Sequence, residues 1–82
     1  MPEKEDFIIE IDRIRQESKS KGKEYVDIVS GDLHRNLGGY PGKTHRMRTC
    51  CKAMYESMGV KDEVLYSPPS TFGATVEIRY YL

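Results

Sequence analysis

The chain has 82 residues, 38% of them apolar and 32% charged, with thirteen basic residues balanced by thirteen acidic ones. That length holds one domain, 1–82, whose core leaves little net stability, and zero net charge excludes attraction to nucleic acid through overall charge alone. No apolar run approaches the ~18 residues that span a bilayer, no signal peptide opens the chain, and adjacent Cys50 and Cys51 are not a disulfide framework, so a cytoplasmic protein without membrane contact is expected.

The domain divides into an N-terminal helix and polar connector (1–23), a strand with two helices (24–59) and a hairpin (60–82). Residues 3–21 predict an amphipathic helix, because Phe7, Ile8, Ile11 and Ile14 recur at i, i+1, i+4 and i+7. Glu3, Glu5 and Asp6 crowd its start and Lys19, Lys21 and Lys23 its end, as the helix dipole favours, with Gly22 as the stop. Ile9 falls off the stripe, exposed or against a partner. Residues 24–29 (EYVDIV) alternate and are rich in β-branched side chains, which predicts a short strand. Ser30 then reads as the N-cap of a short helix with Leu33 and Leu37 on one face and an end at Gly38-Gly39.

Residues 38–44 (GGYPGKT) predict a turn, and Thr44 caps the next helix, 45–58, which stops at Gly59. With Met47 at zero and 100° per residue, Met47, Cys50, Cys51, Met54 and Met58 fall within about 50° of one line. Arg48, Lys52, His45 and Thr49 fall between about 100° and 200°, on the far side. One face wants a core; the other offers cations and donors. No acidic residue lies between Asp32 and Glu56, whereas Arg35, Lys43, Arg46, Arg48 and Lys52 do, with His34 and His45 adding charge below neutral pH.

The last third predicts strands at 62–66 (DEVLY) and 74–82 (ATVEIRYYL). The second puts Ala74, Val76, Ile78, Tyr80 and Leu82 on one face and Thr75, Glu77, Arg79 and Tyr81 on the other. Between them, 67–73 (SPPSTFG) is a loop stiffened by Pro68 and Pro69.

Catalytic and metal-binding patterns are missing. His34, His45, Cys50 and Cys51 are zinc-binding types, but no C-x-x-C or H-x-x-x-H occurs, and adjacent helical cysteines diverge by about 100°. Packed thiols, with no metal or cofactor, are the expectation. Asp32, His34 and His45 lack any accompanying nucleophile elbow, phosphate loop or carboxylate pair, so no enzyme is expected. Met47, Met54 and Met58 are expected to fill the core. Tyr40, Phe72 and Tyr81 are the aromatics expected to be least buried, with Tyr40 and Phe72 in loops that suit a partner.

The order α-β-α-α-β-β resembles a winged helix-turn-helix DNA-binding domain across nearly the whole chain, an α+β class with a three-helix core and a small antiparallel sheet. DLHRNLGGYPG with HRM and CC is also similar to small uncharacterised bacterial or phage proteins. The first resemblance implies a non-catalytic protein that binds double-stranded DNA, as in transcription regulation. Its third helix, 45–58, would enter the major groove, and the loop 67–73 would be the wing. His45, Arg48, Thr49 and Lys52 would then face the groove, with Arg35, Lys43 and Arg46 nearer the phosphates, Thr44 at the helix start and Ser70, Thr71 and Phe72 on the wing. Two departures stand out: the turn exceeds the three or four residues of the tightest units, and the wing has no Lys or Arg. The alternative is a winged-helix module that binds a protein partner. A weak homodimer through the first helix or the last strand is also expected.

Overall fold

In chain order the elements are α1 (Lys4–Ser20), β1 (Tyr25–Val29), α2 (Ser30–Leu37), α3 (Met47–Glu56), β2 (Glu63–Tyr66) and β3 (Glu77–Tyr81). The computed structural model describes residues 3–38, 46–69 and 72–82; Tyr40, Lys43, Thr44, His45, Ser70 and Thr71 lie outside these. The described residues form a small α+β fold in which three helices pack with a three-stranded antiparallel sheet.

α1 starts where its acidic first turn predicts. The Asp6 carboxylate accepts the Glu3 N–H at 2.7 Å, holding a donor that the helix leaves unpaired. It ends before Gly22, whose φ of 81° suits glycine. Phe7, Ile11 and Ser18 are buried, while Ile9 is 60% exposed, off the stripe. On the water side Arg13 bridges Glu10 and Glu17 at the helical spacings that bring side chains together.

β3 is the central strand, antiparallel to β1 on one side and β2 on the other. Val76, Ile78 and Tyr80 are buried, and Thr75 and Tyr81 are exposed, as the alternation predicts. On the outer face Arg79 pairs with Asp27 of β1 at 2.8 Å and lies over Tyr25. β2 carries an irregularity between Val64 and Tyr66, and all four of its residues are exposed.

Both strands of the hairpin are shorter than their patterns suggest, and residues 74–76 serve α2 instead. Ser30 N–H donates to Val76 O at 2.8 Å and Gly31 N–H to Ala74 O at 2.9 Å. Ser30 is therefore not a cap. The N-cap is Val29, Ser30 is the first helical residue, and its Oγ donates to Gly73 O at 2.7 Å. β1 runs directly into α2, and carbonyls of the hairpin satisfy the first-turn donors that a side-chain cap would otherwise serve. A Cβ on Gly31 would lie 2.9 Å from Ala74 O. Gly31→Ala is thus expected to destabilise by about 1–3 kcal/mol in urea unfolding, because backbone must move aside. Helix propensity alone predicts a gain of up to about 1 kcal/mol, so a stabilised variant would refute this close contact.

α3 is shorter than the expected 45–58, and Met58 lies beyond it, half-buried against the core. Met47, Cys50, Cys51 and Met54 are buried as the stripe predicts. The buried arc also takes in Ala53, a side chain small enough to let neighbours approach closely. Among the described residues, no helix is long and apolar enough to cross a membrane.

Candidate functional site

The outward face of α3 is built by the same periodicity that buries its inner face. Arg48 and Lys52 are exposed one turn apart, and Thr49 is half-buried beside them. Several other cations are engaged, Lys4 with Glu56, Arg13 with Glu10, Lys21 with Glu17 and Arg79 with Asp27, whereas Arg15, Lys19, Lys23 and Lys61 stand elsewhere without an ion pair among the described residues. Among the described residues, Arg48 and Lys52 pair with no carboxylate.

The remaining expected contact residues divide. Arg35 is exposed on α2 but engages Asp32 at 2.9 Å. Arg46 turns back toward α1, where its guanidinium lies 3.4 Å from Glu3, and its side chain is only a third exposed. The pair brings the start of α3 beside the start of α1. Lys43, Thr44, His45, Ser70 and Thr71 lie outside the described residues.

Phe72 differs from expectation. It is half-buried, with the Arg48 guanidinium over its ring at 4.8 Å and Tyr55 edge-on at 6.3 Å. The more exposed aromatics are Tyr66, at 52%, and Tyr25, at 42%; Tyr81 is exposed as expected. The loop is fastened to α3 at further points: Tyr55 Oη lies 3.4 Å from Ser67 Oγ, and Cys51 Sγ–H donates to Gly73 O at 3.3 Å. With the Ser30 and Gly31 contacts, the hairpin loop, α2 and α3 share one surface. Nothing in the residue pattern pairs Arg48 with Phe72, since their contact joins two distant elements.

His34 also corrects the reading of the sequence. It is wholly buried, meets Phe7 edge-on at 5.1 Å, and its Nε2 accepts the Arg46 N–H at 2.8 Å. His34 is thus an internal hydrogen-bond acceptor and does not lie on the surface. The bond ties α2 to the start of α3.

Cys50 and Cys51 are free, fully buried thiols, and Cys50 Sγ–H donates to Ser30 O at 3.5 Å. Burial, reinforced by the neighbouring Cys51, pushes the Cys50 thiol up to about 12. Burial raises Cys51 and the Tyr80 hydroxyl too. In the unfolded chain these groups release protons at their ordinary values, 9.0 for a thiol, while the folded chain still holds them. Their contribution is therefore complete below pH 9.0 and is lost as pH rises toward about 12. Urea unfolding across that range is expected to show falling stability, with thiols that react with an alkylating reagent only in denaturant. Flat stability and prompt native labelling would contradict buried thiols. Among the described residues, no three His, Cys, Asp or Glu side chains gather in a way that could hold a metal.

Depressions of about 590 and 440 Å³ adjoin at Arg15. One is lined by Val60, Asp62 and Leu82, the other by Ile8, Ile9 and Glu56. Compared with family models, curated proteins and solved structures, the chain has no match in any of the three.

Proposed function

We propose that this chain is a non-catalytic winged-helix module that binds double-stranded DNA, as a small transcriptional regulator would. The observation that carries the reading is the outward face of α3, where Arg48 and Lys52 stand without carboxylate partners beside the hairpin loop. The element order and the β1-β3-β2 sheet support the winged-helix assignment. α3 is then the helix that enters the major groove, with its first residues at the base edges. The loop packs along its flank through Phe72. Arg35, exposed on α2, exchanges Asp32 for a phosphate, while Lys43, Thr44 and His45 precede α3 in the chain.

A chain of zero net charge with two unpaired cations on this helix face binds duplex weakly, and the affinity falls steeply with salt. Electrophoretic mobility shift at low and moderate ionic strength is the direct test. A retarded complex at low salt that dissolves as salt rises is the expected result, and no complex at any salt would refute the reading.

A second reading, a protein-interaction module, draws on β2. Val64, Leu65 and Tyr66 are exposed on an edge strand, and Val60 just before it is fully exposed. An uncovered apolar edge is a surface on which another chain adds a strand. Nuclease-resistant co-purification of one protein, with no duplex binding, would favour this reading over the first.

A further inference from the structure

We infer that Arg48 reads guanine in the major groove and that Phe72 is its positioning residue, a refinement that rests on the duplex-binding reading above. The chain has six arginines, and four of them direct their donors at carboxylates: Arg13, Arg35, Arg46 and Arg79. Arg15 and Arg48 instead lie over aromatic rings without a carboxylate partner among the described residues. Arg15 is on α1, in depressions that Asp12, Glu24 and Glu56 also line, so an anionic backbone is repelled there. Arg48 is on α3, in a stretch free of acids.

The contact with Phe72 determines what Arg48 can do. An arginine over a ring gives up rotational freedom before it meets a ligand, yet none of its N–H donors is hydrogen-bonded among the described residues. Its planar donor fork then matches a pair of acceptors. Guanine presents such a pair in the major groove, O6 and N7, and an arginine takes both at once. Arg48 is the second residue of α3, near the end of a groove-binding helix that contacts base edges. Lys52, one turn further on, supplies a mobile point charge suited to phosphate.

Phe72 acts through Arg48 and not as a stacking platform for a base. Arg48 lies over its ring and Tyr55 approaches it edge-on, and the ring is half-buried. Ser67 and Gly73, on either side of it, are fastened to α3. A hairpin loop without Lys or Arg therefore contributes to recognition by holding a cation that belongs to the neighbouring helix.

The test is competition fluorescence anisotropy with three duplexes: alternating G·C, alternating A·T, and the G·C duplex carrying deaza-guanine that lacks N7. The intact protein is expected to prefer G·C over A·T by about tenfold or more and to lose most of that preference without N7. Arg48→Lys keeps the charge but is expected to abolish the preference, leaving binding to A·T within about twofold. Phe72→Leu and Phe72→Met remove the ring and are expected to do the same, whichever retains its melting transition, while Phe72→Tyr keeps the preference. In an Arg48→Lys background, Phe72→Leu is expected to have no further effect on the preference. Equal affinity for G·C and A·T overturns the inference but leaves duplex binding standing. A folded ring-less variant that still discriminates overturns the role of Phe72. Absence of binding to all three duplexes overturns both the inference and the reading beneath it.

Discussion

Replacing Tyr80 with alanine is expected to remove most of the stability of this fold. Tyr80 is wholly buried at the centre of the sheet, and its hydroxyl donates to Met54 O at 2.7 Å. Met54 lies in the last turn of α3, where carbonyls lack a partner along the helix, so one side chain fills the core and closes a helix end. Truncating a buried aromatic costs about 3–5 kcal/mol, and leaving the carbonyl without a donor adds about 1–3 kcal/mol. A domain of this size has about 5–15 kcal/mol in total. Tyr80→Phe, which loses only the hydroxyl, is expected to lie between wild type and alanine. Circular dichroism during urea titration measures all three. If Tyr80→Ala unfolds at nearly the wild-type midpoint, the ring does not bridge α3 and the sheet.

Reversing the two unpaired charges of α3 is the largest functional effect expected. The double variant Arg48→Glu, Lys52→Glu should lose at least about a hundredfold in duplex affinity at moderate salt, and the slope of log affinity against log salt should shallow by about two. Stability should change by only about 0.5 kcal/mol, since both side chains are exposed and neither is ion-paired. Lys19→Glu with Lys23→Glu changes net charge by the same amount at exposed positions on and after α1, and should leave most of the affinity. Anisotropy on one mixed-sequence duplex compares the two. Equal losses would mean that only overall charge matters, and the role given to α3 would fall.

The elements of this fold were legible where a period repeats. The stripe from Met47 to Met54, the alternation through Val76, Ile78 and Tyr80, and the apolar stripe of α1 each follow from spacing alone. Features that depend on two distant segments meeting were not legible. Ser30 has the chemistry of a cap, yet the hairpin carbonyls reach its first turn before its own side chain does. His34 looks like a surface residue, yet it is buried and accepts the Arg46 N–H. For the candidate site, the pattern singled out Arg48 and Lys52 as outward-facing, because an unburied helical face is a local property. It missed the half-burial of Phe72, which arises only when the hairpin folds back on α3. The pairing of Arg46 with Glu3 was invisible for the same reason, since the two residues are far apart in the sequence.

The order of strands, β1-β3-β2, sets a schedule for folding. A ribosome makes both outer strands before the one that pairs with each of them. While β3 is inside the exit tunnel, β1 and β2 have no partner in the sheet, since they do not pair with each other. Val76, Ile78 and Tyr80 also emerge late, so the helices present one side of a core whose other side does not yet exist. A chain stalled just before Glu77 would carry α1, α2 and α3 without the strand that joins β1 to β2, leaving Phe7, Ile11 and Met54 only partly covered. Such a nascent chain exposes apolar surface, and the pairing of β3 with β1 is the long-range contact of the kind that slows folding.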